Sequence, residues 1–187
     1  MALHEFLGHF VSAAVAADER FVRSRDPSEI DGGIEVWERL ADSGALAGEP
    51  PERVVDARLA VAALYARRNA PGDVSKALLE LGRAQPHLTP GSLADLQERM
   101  SRAACLLARY RAHGGPEDLD GAIAVWATLL DTDARALAAA NLGRALLTRG
   151  GADDLPRGRR LLGLASAEMP RDHPARREVE LALRAAD

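Results

Sequence analysis

Cysteine occurs once in the chain, at Cys105, which excludes an internal disulfide and a cysteine-based zinc centre. Aromatic residues make up only 4% of the sequence, although 47% is apolar, so alanine and leucine must build the interior. That choice suits closely packed helices and not a β-sandwich, whose strands draw on β-branched and aromatic residues. Lysine is also nearly absent: Lys76 stands alone, and the other basic residues are arginines. The net charge of −4 leaves no basic excess of the kind a nucleic-acid-binding domain carries. No apolar run approaches the roughly 18 residues that a membrane-spanning helix needs. No period-two alternation marks a strand. The preference for Arg, Ala and Gly is the composition of a GC-rich bacterial genome.

What the chain does have is a phrase that recurs. Residues 26–37 read Asp-Pro-Ser-Glu-Ile-Asp-Gly-Gly-Ile-Glu-Val-Trp, and residues 115–126 read Gly-Pro-Glu-Asp-Leu-Asp-Gly-Ala-Ile-Ala-Val-Trp. Weaker copies begin at Ala70 and Gly151. Aligned on Ile30, Val74, Leu119 and Leu155, the copies lie 44, 45 and 36 residues apart, periods that mark a helical repeat array. The alignment extends outside the phrase. Phe21, Tyr65, Tyr110 and Leu146 are each followed twelve residues later by a small residue: Gly33, Ala77, Ala122 or Gly158. Four residues further stand Trp37, Leu81, Trp126 and Leu162. Large, small, large is a packing rule in which the small residue lets two helices approach and the large ones fill the flanking space.

The chain in order predicts nine helices. The first covers about Ala2–Ser24. Its apolar run from Leu7 to Ala17 lacks the basic leader of a signal peptide, since His4 and Glu5 stand there. Asp26 caps a second helix that opens on Pro27 and ends at Gly44. A third runs from Pro51 to Asn69, and a shorter one follows the Pro71-Gly72 break. Ser92 and Asp95 form a capping pair before a long fifth helix. Gly114-Gly115-Pro116 ends that helix and starts the sixth. The seventh and eighth cover about 133–148 and 154–168, and Asp172 is expected to cap a ninth. The whole chain, 1–187, reads as one domain, with repeats at about 2–44, 51–86, 91–131 and 133–169 and a capping helix at 172–186.

This pattern resembles the tetratricopeptide repeat (TPR). Leu142-Gly143, Leu146, Gly158, Leu162, Ala165 and Pro170 follow that family's order in the fourth copy. Each copy holds three residues more between its helices than the standard repeat. That wording is similar to actinobacterial arrays associated with caspase-like CHAT protease domains. The resemblance implies a right-handed α-solenoid of four TPR-like helix pairs plus a C-terminal capping helix. It implies a cytoplasmic, non-catalytic scaffold or adaptor that takes a protein or peptide in its concave groove. The alternatives are a regulatory segment of a larger CHAT-type or signalling protein, or a small-ligand sensor.

Candidate chemistry is thin. Cys105 and His113 could pair as nucleophile and base, but eight residues along a helix separate them by about 12 Å of rise. A buried structural cysteine is the simpler reading. His4, Glu5 and His9 are spaced one residue too widely for the zinc-peptidase motif. Asp118, Asp120, Asp153 and Asp154 gather where B helices start, where they would complement the helix dipole and cap free N–H groups. The two tryptophans recur at one repeat position, which points to packing. No cofactor, metal or catalytic residue is expected. The resemblance places the groove on the A helices, near the aligned large residues: Glu19, Arg23, Ala63, Arg67, Ala108, Arg111, Arg144 and Thr148. The Lys/Asn clamp of chaperone-binding arrays is missing from these positions. Arg23, Arg67, Arg111 and Arg144 form a ladder suited to an acidic partner, with no role for nucleic acid or membrane; oligomeric state is not read from the sequence.

Overall fold

The computed structural model describes residues 3–186, so Ala2, at the start of the first predicted helix, lies outside the described residues. Among the described residues the regular structure is all helical: α1 (Leu3–Ser24), α2 (Ser28–Asp42), α3 (Pro51–Arg68), α4 (Asp73–Ala84), α5 (Leu93–His113), α6 (Pro116–Ala127), α7 (Arg135–Arg149), α8 (Asp154–Glu168) and α9 (Arg176–Ala185). A single 3₁₀ turn, Gln85–His87, extends α4. The chain divides into two compact units, Met1–Ser101 and Arg102–Asp187, and the boundary falls inside α5.

In the first unit α1 packs on α2 and α3, and α3 packs on α4. Leu7 and Phe10 of α1, Ile30, Ile34 and Trp37 of α2, and Val61, Leu64 and Tyr65 of α3 supply the core. The Phe10 and Trp37 rings meet at 5.4 Å between centroids in a tilted arrangement, a favoured geometry for an aromatic pair. Arg58 lies over the Trp37 ring at 5.7 Å from its centroid and donates through Nη1 to Glu80 Oε2 at 2.5 Å. Glu80 is buried and also accepts from Arg83 Nη1 at 2.8 Å, so two guanidinium groups answer its charge. Tyr65 Oη donates to Glu38 at 3.0 Å, and Lys76 donates to the same oxygen at 2.6 Å. The Lys76 hydrogen bond is the main cause that holds the Glu38 carboxyl below its usual range, against burial, which acts to raise it.

In the second unit α6 packs on α7, α7 on α8, and α8 on α9. Alanine does much of the work here: Ala138, Ala139, Ala140 and Ala145 of α7 are all buried. Trp126, Leu142, Leu146 and Leu162 fill the space between. Val179 of α9 is fully buried in a cluster with Leu162, Ala165 and Met169.

The A helices α1, α3, α5 and α7 end alike. Arg25, Asn69, Gly114 and Gly150 each take a left-handed conformation, with φ of 61°, 51°, 75° and 73°. Each donates its backbone N–H to the carbonyl of the aligned large residue four positions back: Phe21 (2.7 Å), Tyr65 (3.0 Å), Tyr110 (2.7 Å) and Leu146 (2.9 Å). This is the left-handed cap that closes a helix C-terminus. Gly114 and Gly150 supply it without strain. Arg25 and Asn69 are side-chain-bearing residues in the same role, and Asn tolerates it better than Arg.

Several predicted starts hold and others move. Asp26 Oδ1 accepts the N–H of Ser28 at 3.0 Å, as an N-cap does. Ser92 Oγ accepts the N–H of Asp95 at 3.2 Å, but the Asp95 carboxylate reaches back one residue further than a capping box, to the N–H of Gly91 at 2.9 Å. The ninth helix starts at Arg176, not at Asp172. Pro174 disfavours helical backbone at His173, and the His173 ring, through Nδ1, accepts the N–H of Ala175 at 3.2 Å. The His173 ring thus orders the turn that leads into α9, whose N-cap residue is Ala175.

Candidate binding groove

Each helix pair is closed by an arginine of its A helix and a carboxylate of its B helix. The carboxylate always stands immediately before the aligned Ile, Val or Leu: Glu29, Asp73, Asp118 and Asp154. The arginine alternates. Arg20 and Arg109 stand just before the aligned large residue; Arg68 and Arg149 stand three residues after it, one turn later on the same face. Arg20 Nε meets Glu29 at 2.7 Å. The other three are two-pronged: Arg68 to Asp73 at 2.8 and 2.8 Å, Arg109 to Asp118 at 2.7 and 2.5 Å, and Arg149 to Asp154 at 2.7 and 2.7 Å. Such a fork matches the planar guanidinium to the carboxylate and is the strong form of the pair.

These contacts add to the reading of the acidic residues as dipole partners and helix caps: Asp118 and Asp154 do lie in the first turns of α6 and α8, but their main partners are arginines. No side-chain cap bond forms at α6 or α8. Asp118 and Asp154 turn to Arg109 and Arg149 instead, and Asp120 accepts from Arg149 Nη1 at 2.7 Å. Asp73 Oδ2 also takes the N–H of Ala70 at 2.9 Å, and Asp154 Oδ2 that of Gly151 at 3.2 Å, which tightens both connecting loops. Hydrogen bonds from Arg109 and Arg149 hold the Asp118 and Asp154 carboxyls below the usual aspartate range. Burial is the largest single influence on Asp73 and pushes it up; Arg68 and the Ala70 N–H outweigh it, so it too is lowered. The clasps answer each other's charge and offer a ligand little.

The open surface lies elsewhere. Within the first unit, α1, α3 and the first turns of α5 enclose a cleft of about 460 Å³. Val11, Ala14 and Val15 of α1 face Leu59, Ala60 and Ala63 of α3 across it. Val15 is 53% exposed, high for a valine. The polar groups on the lining are Asp18, Glu19, Asp56 and Gln97; none is basic. Asp18 accepts from Arg67 Nε at 2.8 Å. Glu19 and Asp56 are exposed and engage no other described residue by hydrogen bond or ion pair.

Of the expected groove residues, Glu19 and Ala63 line this cleft. Arg67 reaches it only by holding Asp18. Arg23 is exposed near the end of α1. Arg111 is exposed near the end of α5, and Ala108 is half-buried on the same helix. Arg144 donates to Glu178 at 2.8 Å and to Asn141 at 2.6 Å, so its charge is taken up within the second unit. The Thr148 hydroxyl donates to the Arg144 carbonyl of its own helix at 3.0 Å. The sequence reading passed over Val11, Val15 and Asp56. Nothing local in the sequence sets these three apart from their neighbours on α1 and α3.

Cys105 is buried, and burial pushes its thiol up to about 11, away from any nucleophilic role at neutral pH. His113 is exposed at the end of the same helix. His9 Nδ1 lies 2.7 Å from the Glu5 carbonyl. Among the described residues no group of three or more His, Cys, Asp or Glu side chains is placed to hold a metal ion, and no helix is long and apolar enough to cross a membrane.

No family model and no curated protein matches this sequence. Two solved structures are similar in fold. One is a point variant of a kinesin light chain protein of Podosopora anserina with nearly identical TPR-like repeats; it superposes with a TM-score of 0.66 at 18% identity, covering 100% of this chain and 87% of that one. A second structure of that protein gives a TM-score of 0.64 at 18% identity over 96% of this chain and 86% of the other. The fold is a TPR-like helical-repeat array. At that identity the likeness speaks for the fold alone. TPR-like arrays commonly serve as protein-interaction scaffolds, and fold does not by itself assign a function.

Proposed function

We propose that this TPR-like chain is a non-catalytic scaffold or adaptor that binds a protein or peptide along its A helices. The observation that carries this reading is the cleft between α1 and α3, a largely apolar strip that stays open to solvent and holds two of the expected groove residues, Glu19 and Ala63. A folded chain normally covers such a strip, and one left bare with a polar rim marks a binding surface. The absence of a cysteine nucleophile is consistent with it, since the Cys105 thiol is buried and held protonated. We take the site to be cytoplasmic. The association with CHAT-type or other signalling proteins rests on the wording of residues 115–123.

The arginine ladder for an acidic partner is the second reading. Arg23 and Arg111 are exposed and able to serve it, whereas Arg67 and Arg144 already hold Asp18 and Glu178. The cleft carries carboxylates and no arginine, so an acidic partner would dock outside it, and the first reading keeps its partner in the cleft. The test is site-directed photo-crosslinking. A photoreactive residue at Ala63, inside the cleft, is compared in source-cell extract with one at Leu79, an exposed position on α4. A discrete adduct from position 63 and none from 79 supports the groove. Adducts from 79 alone would move the binding surface to the B helices.

A further inference from the structure

Resting on that reading of the groove, we infer that its occupant is a basic-apolar peptide segment: apolar side chains flanked by lysine or arginine. The cleft is lined by two kinds of side chain. Its apolar members include Val11, Val15, Leu59 and Ala60. Its charged members are all acidic: Asp18, Glu19 and Asp56. Arg67 neutralises Asp18. Glu19 and Asp56 are exposed and make no ion pair with a described side chain, so the cleft presents two carboxylates available to a partner's cations.

Such a surface selects its partner by two terms. Burying Val15 and its neighbours removes apolar area from water and supplies the affinity. Cations beside the apolar anchors meet Glu19 and Asp56; exposed charges of this kind set on-rate and specificity and weaken with salt. An acidic segment would bring like charge against both carboxylates, and the same repulsion disfavours a phosphate backbone. Choosing partners by such a repulsive element is ordinary in specific recognition. The overall charge of −4 extends the same attraction beyond the cleft.

The experiment uses the whole chain and three short fluorescent peptides of one length. The first has leucines flanked by lysines, the second the same leucines flanked by glutamates, and the third keeps the lysines with serine for leucine. Anisotropy titrations at low and at high salt expect binding of the first alone, weaker at high salt. Glu19→Gln with Asp56→Asn should weaken that binding roughly tenfold, as for two partly exposed ion pairs, with the melting temperature unchanged. Ala63→Trp, at an exposed position in the cleft, should abolish it by filling the cleft. Binding of the glutamate peptide, or of the lysine-serine peptide equally well, overturns the inference, as does insensitivity to both variants. If no peptide binds while crosslinking at position 63 still captures a protein, the groove stands and the basic-apolar assignment falls. If both fail, the groove itself is misassigned.

Discussion

Gly143 and Gly158 lie backbone against backbone where α7 crosses α8. A Cβ built on Gly158 would stand 2.9 Å from the Gly143 carbonyl oxygen, and one on Gly143 would stand 3.0 Å from that of Gly158. The contact at Gly158 is shorter than real methyl groups show and its obstacle is backbone, while a methyl at Gly143 would also meet the Leu162 side chain at 2.9 Å. Gly158→Ala should therefore destabilise the protein by roughly 1–3 kcal/mol of overpacking, less the ~1 kcal/mol that alanine gains as a helix former. Gly163 lies on the same helix with open space beside it. Gly163→Ala should stabilise by roughly 0.5–1 kcal/mol. Chemical denaturation of both variants decides the matter; the same sign for both would mean that the helices do not meet at this crossing.

The small-residue rule does not act identically in each pair. A Cβ on Gly33 would meet Leu64 Cδ1 of α3 at 3.1 Å, so here the small residue admits a helix of the next pair.

Trp126 is 1% exposed and sits at the repeat position shared with Trp37. Trp126→Ala should cost roughly 3–5 kcal/mol, a large part of the ~5–15 kcal/mol that holds a typical domain together. Its Nε1 is buried and has no hydrogen-bond partner among the described residues. Trp126→Phe thus removes an unanswered polar group along with some volume and should cost less than about 1.5 kcal/mol. Thermal melts of the two variants test this. A phenylalanine variant as unstable as the alanine one would place a partner on Nε1.

The fold was legible because the repeat aligns residue for residue. Once Phe21, Tyr65, Tyr110 and Leu146 are in register, helix order and pair count follow. Glycine and proline then mark most of the boundaries. The fit is poorer where a boundary depends on a residue that is ordinary elsewhere. Nothing local shows that Arg25 will adopt left-handed backbone; the register with Gly114 and Gly150 does. The cleft between α1 and α3 was half legible. Glu19 and Ala63 follow from repeat position, but the part of α1 that faces α3 is a matter of how two helices cross. Val15 and Asp56 are therefore found only in three dimensions. The clasps were missed because a carboxylate at a helix start has a ready local explanation in the helix dipole.

The clasps make acid sensitivity specific. Asp118 and Asp154 titrate in the folded chain below the ~3.9 of an unfolded aspartate. A depressed folded value contributes stability that is full above the unfolded pKa and is lost as pH falls through the folded one. Stability in urea should therefore hold from neutral pH to about 5 and then decline toward pH 2. Asp118→Asn with Asp154→Asn should start lower at neutral pH and decline less across that window. An unchanged acid slope in the double variant would show that the arginine pairs contribute nothing net.

Arg25 carries a side chain where Gly114 and Gly150 carry none, at φ of 61°. The position is exposed, and left-handed backbone costs a side-chain-bearing residue roughly 1–2 kcal/mol. Arg25→Gly should raise stability by about 0.5–1 kcal/mol after glycine's entropic cost is deducted. Gly150→Ala, at φ of 73°, should lower it. Denaturation midpoints with unchanged m-values would establish both.

The helix α9 closes the second unit. Val179 is fully buried against Leu162, Ala165 and Met169, with Leu183 packed beside it. Arg176 Nη1 donates to the Met169 carbonyl at 2.5 Å, and Glu178 receives Arg144 at 2.8 Å. Terminal repeats expose an apolar face unless something covers it. Ending the chain after Pro170 would uncover Met169 and its neighbours and free Arg144. The truncated protein should aggregate or lose part of its cooperative transition. Truncation is a coarse change, so a point variant isolates the packing. Val179→Asp puts an unpaired charge in the cluster and should cost several kcal/mol. Leu181→Asp, on the exposed side of the same helix, should be near neutral. Size-exclusion chromatography and thermal melts read all three. A truncated chain that stays monomeric and melts at the original temperature would show that α9 does not cap the array, and so would equal effects of the two aspartates.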